Sequence, residues 1–196
     1  MPKVTDAYRE SRRDEIAHAA VRCLIRHGFA GTSMADIIAE SGLSAGAIYS
    51  HFTSKTEITR HVARLVITSR SDELAAHVAS LARPISPAET IVFMMGALED
   101  AQVPKSVVLQ VWAQATVDDE LHELMLDAVA QLRAGYSSAV RPWLEARGQG
   151  GAVTDVEVAN ATSTMLAVSQ GYIVHSALVG ATDPARYLAS AAALLG

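Results

Sequence analysis

Apolar residues along this chain recur at intervals of three and four almost from end to end, and the period-two alternation that marks strands is nearly absent. The pattern predicts an all-α protein of about nine helices. The first spans Arg9–His27, with Ile16, Ala20, Cys23, Leu24 and His27 along one face and Gly28 stopping it as a left-handed cap. The second opens at Ser33, which forms a capping box with Asp36. It carries Met34, Ile37 and Ile38 on its inner side and ends at Ser41-Gly42. Ser44 caps a third, short helix over Ala45–His51, with Ile48 and Phe52 one turn apart facing inward. Two short helices joined by a glycine turn make a helix-turn-helix.

Ser54 and Glu57 read as a second capping box that opens a long helix reaching about Leu81, and Arg83-Pro84-Ile85-Ser86-Pro87 is the first clear break. Further helices follow over Ala88–Ala101, Lys105–Val117, Asp119–Arg147, Asp155–Val179 and Pro184–Leu195. Gly148-Gln149-Gly150-Gly151 reads as a loop and Thr182-Asp183-Pro184 as a turn and cap. Pro142 sits late in its helix and is expected to kink it. The boundaries divide the chain into a head, residues 1–53, and a body, residues 54–196, joined by the long helix.

Charge sharpens that division. The net charge is −5, yet residues 1–64 carry nine Lys+Arg against seven Asp+Glu, with four histidines besides, while the remainder carries seven against fourteen. Only the head has the sign to meet a polyanion. Cys23 is the sole cysteine, and no basic segment leads into an apolar run at the N-terminus, which points to the cytoplasm. Val158–Thr182 is uncharged and long enough to span a membrane. Its Asn160, Thr162, Ser163, Thr164, Ser169, Gln170, His175 and Ser176 argue instead for a helix buried in protein.

The third helix has an unusual leading edge. Ala45, Gly46 and Ala47 would let a backbone approach base edges in a major groove, while Tyr49 and His51 offer donors suited to phosphate oxygens. Lys55 lies in the first turn of the long helix, where the dipole disfavours a cation, and a docked phosphate would reverse that sign. Thr32 and Ser33 add hydroxyl and backbone donors. Arg12 and Arg13 extend toward phosphate or the minor groove, or simply solvate a helix start. The spacing alone fits a structural helical hairpin as well as a DNA reader.

The run Ile16-x-x-Ala19-Ala20-x-x-Cys23-Leu24-x-x-x-Gly28-Phe29-x-x-Thr32-Ser33-Met34-x-Asp36-Ile37, followed by Gly42-Leu43-Ser44-x-Gly46-x-Ile48-Tyr49-x-His51-Phe52-x-Ser54-Lys55, resembles the N-terminal domain of the TetR/AcrR family of bacterial transcriptional regulators over about residues 12–62. The resemblance implies a homodimer with a DNA-binding head and a ligand-binding, dimerising body, usually a repressor that a small molecule releases from a palindromic operator. By position it assigns Tyr49, His51 and Lys55 to phosphates, with Thr32 and Ser33 at the second helix start, and Ala45, Gly46, Ala47 and Ser50 to base edges; Ser44 lies beside them. Ala47 stands where many relatives carry threonine, which leaves apolar contact there. Leu109-Gln110-Val111-Trp112-Ala113 and Asp118-Asp119-Glu120-Leu121 resemble BetI-like C-terminal domains.

Physics adds more in the body. The last two helices, about residues 155–179 and 184–195, are nearly uncharged, so a two-fold four-helix dimer interface is expected to cover them. A largely apolar effector is expected between the body helices, near Phe93, Met94, Trp112, Met125, Tyr136, Met165, Gln170 and His175. Histidines without metal spacing and a single cysteine give no metal site, and no cofactor motif is present. Neither a phosphate loop nor a nucleophile elbow supports an enzyme. A helical dimer that scaffolds other proteins without DNA is the alternative.

Overall fold

The computed structural model describes residues 6–147, 152–180 and 183–195. The expected glycine loop at 148–151 and residue 182 of the expected turn lie outside them. Among the described residues there are nine helices and no strand: α1 (Asp6–Gly31), α2 (Met34–Ser41), α3 (Ala45–Tyr49), α4 (Lys55–Ser80), α5 (Pro87–Asp100), α6 (Lys105–Ala115), α7 (Asp119–Arg147), α8 (Asp155–Leu178) and α9 (Pro184–Leu195). The helix α3 ends two residues earlier than its spacing suggested, because His51 and Phe52 fold back onto the Ile48 carbonyl. The helix α7 runs on through Pro142 to Arg147.

Three apolar clusters hold the chain together. In the head, Ile16, Ala20 and Cys23 of α1 meet Ile37, Ile48, Phe52 and, from the first turn of α4, Ile58. The head core therefore needs residues beyond position 53. Cys23 is a buried free thiol, and burial pushes its pKa up, as suits a small apolar filler. The body cluster packs α4, α5, α7 and α8 around Tyr136, whose hydroxyl meets Ser169 at 2.8 Å. Burial pushes the phenol up to about 12. A third cluster joins the two: Leu24 and Phe29 of α1 pack on Val107, Val111 and Ala115 of α6 and on Leu121 and Leu124 of α7.

Polar contacts reinforce the seam between α1 and α4. His61 is buried, and Arg64 donates to its Nδ1 at 3.3 Å, so the ring proton sits on Nε2 and is donated to Asp14 at 2.9 Å. Arg64 also pairs with Glu10 at 2.8 Å. Glu10, Asp14 and His61 lie close enough to hold a metal ion, but this guanidinium already bridges two of the three. Ser54 caps α4 by accepting from the Glu57 amide. The Glu57 carboxylate returns to the amide and hydroxyl of Thr53, so the expected box closes one residue early.

Gly28 decides how α1 leads into α2. It interrupts α1 at φ 71°, ψ 172°, a conformation essentially restricted to glycine, and a Cβ there would stand 2.7 Å from Gln110 Oε1. That oxygen accepts from the Phe29 amide at 2.8 Å. Gly28→Ala is expected to lower unfolding free energy by about 2 kcal/mol, measured by urea denaturation; an unchanged midpoint would mean that the turn relaxes without strain.

Candidate functional site

The helix-turn-helix is built by caps. Ser33 and Asp36 form the expected box at the start of α2, and Gly42 (φ 68°) ends it in the left-handed conformation. Ser44 accepts from the Ala47 amide at 3.2 Å, which starts α3. With Ile48 buried beneath, the opposite edge of α3 faces outward: Ala45, Gly46, Tyr49 and Ser50 are exposed and Ala47 is partly so. Tyr49 is 51% exposed. A Cβ added at Gly46 would meet nothing within 4 Å. No packing among the described residues therefore requires a glycine at that position.

Beside this edge, His51 is half-buried, and its backbone carbonyl accepts from Arg13 at 2.6 Å. Burial and the nearby Arg13, Arg9 and Arg12 hold its imidazole pKa below the ordinary value, so the ring is neutral at pH 7.5. Arg9, Arg13, Arg60 and Arg64 border the same hollow together with His51 and Ser50. Of these, Arg9, Arg60 and Arg64 went unnoticed in the sequence because α1 and α4 meet there only after folding. Arg13 also sits over the Phe52 ring, 4.1 Å from its centre.

Three expected contacts are turned elsewhere. Lys55 Nζ donates to the carbonyl oxygens of Phe29 at 2.5 Å and Thr32 at 2.7 Å, with the Phe29 ring 4.2 Å away. The unfavourable charge at the start of α4 is thus balanced within the chain by carbonyls at the end of α1, and burial lowers the ammonium pKa. Thr32 is buried, and its hydroxyl donates to the Gly28 carbonyl at 2.7 Å. Ser33 donates its hydroxyl proton to Asp36. All three make hydrogen bonds within the chain that shape the turn before α2.

The body encloses a cavity of about 170 Å³. Met94, Trp112, Met125 and Gln170 line it as expected. Phe93, Tyr136, Met165 and His175 do not. Phe93 stacks on His77 under the Arg70 guanidinium, Tyr136 and Met165 fill the core, and His175 lies 5.8 Å from the Tyr187 ring. Val21 and Leu24 of α1 and Val62, Val66 and Ile67 of α4 complete the wall. Ordinary aliphatic residues in an amphipathic helix carry no sequence signal that distinguishes a cavity wall from core.

A capped helix-turn-helix tied to a hollow helical body defines a two-part regulator architecture. The model for bacterial regulatory proteins of the tetR family matches residues 16–62, and that for the C-terminal region of BetI-type transcriptional repressors matches residues 94–196. The chain belongs to the TetR family of bacterial transcriptional regulators, which are not enzymes. It is similar to the uncharacterized HTH-type transcriptional regulator YfiR of Bacillus subtilis, 41% identical over 31% of this chain and 30% of that one. It is also similar to the HTH-type transcriptional repressor AcnR of Corynebacterium efficiens, 28% identical over 62% of this chain and 63% of that one. The chain spans less than two thirds of these relatives' lengths. In fold it is similar to a putative transcriptional regulator from Pseudomonas aeruginosa PAO1, with a TM-score of 0.71 and 21% identity over 95% of this chain and 89% of that one. No helix among the described residues is long and apolar enough to cross a membrane.

Replacing Lys55 with Met should remove two charge-assisted hydrogen bonds and lower stability by about 2 kcal/mol, read from the urea midpoint. The slope of log affinity for duplex DNA against log salt should stay as in the parent; a fall of about one would make Lys55 a phosphate contact after all.

Proposed function

We propose that this chain is a homodimeric, cytoplasmic repressor that leaves a palindromic operator when a small, largely apolar molecule occupies its body. The observation that carries the DNA-binding part is the open space over Gly46. A glycine weakens the short helix α3, and no neighbour inside the protein requires it, so a surface from outside accounts for it. Ala45, Gly46, Ala47 and Ser50 then face base edges, and Tyr49, His51 and Ser44 grip phosphates. Arg9 and Arg60 extend the basic margin of the same face. Lys55, Thr32 and Ser33 act as positioning residues.

The dimer reading is supported by the outer side of α8. Asn160, Ser163, Thr164, Ala167 and Gln170 are exposed and uncharged there, and Val156, Leu178 and Val179 are 68%, 72% and 72% exposed. A second copy of α8 and α9 is the natural cover. The functional division is a head of residues 1–53, completed by the first turns of α4, and a body of 54–196 that binds the effector and its partner copy. Effector binding shifts α4, whose Thr59, Val62 and Val66 border the cavity, and so resets the distance between the two heads. Gln110 provides a second linkage, from α6 to the turn ahead of α2. The effector must favour the state that does not fit DNA.

Selection of bound duplexes from random DNA by the purified chain identifies the operator; failure to retain any duplex at low salt removes the proposal. On the selected operator, Gly46→Ala is expected to stabilise the free protein by up to about 0.5 kcal/mol while lowering operator affinity at least about tenfold. Unchanged affinity would separate α3 from the bases. The His51 ring is neutral in the free protein, and phosphates favour the protonated form, so binding takes up a proton. Affinity should rise as pH falls from 7.5 to 6, and less so in His51→Gln; equal pH profiles would remove His51 from the interface.

A further inference from the structure

The cavity in the body deepens the regulatory reading, on which its role as an effector site rests. No Asp, Glu, Lys, Arg or His contributes to its wall. Its polar groups are Thr59, Ser169, Gln170 and the indole of Trp112. Thr59 donates its hydroxyl proton to the Lys55 carbonyl at 2.9 Å, and Ser169 donates to the Met165 carbonyl at 2.8 Å and meets the Tyr136 hydroxyl. Both protons are therefore engaged. Gln170 touches the rim only, since it is exposed on the outer side of α8. The Trp112 indole N–H has no hydrogen bond among the described residues, and it remains as a donor.

Such a wall rejects ions. An anion placed here would exchange its hydration for one neutral donor at most, and a cation would find no carboxylate. A quaternary ammonium needs a cage of aromatic faces, and among the described residues Trp112 alone brings an aromatic ring to the lining. Size narrows the choice further, because a dry apolar cavity of about 150 Å³ takes a guest the size of benzene, and this one measures about 170 Å³. We infer that the ligand of this cavity is an uncharged, compact lipophile of about one ring, carrying an oxygen acceptor for Trp112. It touches Val21 and Leu24 of α1, so its bulk bears directly on the helix that carries the head.

The test titrates the purified full chain with acetophenone, toluene, benzoate and tetramethylammonium, read by calorimetry and tryptophan fluorescence. Acetophenone should bind saturably at one per chain, and the two ions at least about 30-fold more weakly. Trp112→Phe should weaken acetophenone about fivefold while toluene stays within about twofold. Ala128→Leu, which fills the cavity, should abolish binding of both neutral probes; should that variant lose its circular dichroism signature, Val108→Ile replaces it. An ion that binds as tightly as acetophenone overturns the inference, and so does a native chain that takes neither neutral probe. Binding of a selected duplex is scored separately. A chain that holds its duplex but no neutral probe refutes the ligand class alone, whereas one that takes acetophenone and ignores every duplex supports the ligand class and refutes the regulatory reading.

Discussion

The end of α1 leaves backbone carbonyls that point away from any helix and must find donors. Lys55, arriving from α4, supplies them to Phe29 and Thr32, and Gln110 of α6 takes the Phe29 amide in turn. A five-residue turn, Gly28–Thr32, is thereby held by two helices far apart in the chain. Whatever follows that turn, first α2 and then the outward edge of α3, inherits its orientation from this one set of hydrogen bonds. Gly28 makes the arrangement possible, since a side chain there would occupy the place of the Gln110 oxygen.

The same region is where head and body become a single mechanical object. Leu24 belongs both to the apolar cluster with α6 and α7 and to the cavity wall. The polar seam of Glu10, Asp14, His61 and Arg64 ties α1 to α4 along another side. A change in the volume enclosed by the body therefore meets α1 and α4 without passing through a loop. Packed interiors of this kind respond by discrete repacking, because close-packed side chains do not compress.

Much of this was legible in the residues. The bounds of α7 and α9 agree with their spacing and cap signals, and α2 begins at the capping box that Ser33 and Asp36 announce. The small residues of α3 do lie outward. Lys55 shows what such reading leaves out: the dipole argument identified a cation needing a partner, and within the chain that partner is a carbonyl pair twenty-odd residues earlier. Thr32 and Ser33 likewise have partners within the chain, and a free hydroxyl and one bonded to its own backbone or neighbour look alike in sequence. In the body, Trp112 and Gln170 reach the cavity while Phe93 and His175 do not, although all four are equally conspicuous.

By itself the sequence determined what depends on neighbours within a turn or two: helix spans, caps, the inner and outer face of each helix, and the family to which the head is similar. These are fixed by period, propensity and short hydrogen bonds, all local. Only the tertiary structure decided which polar groups were left free, which aliphatic residues surround a void, and how the head is tied to the body. Each of those depends on side chains brought together from separate helices, and helical periodicity carries no information about which face meets which.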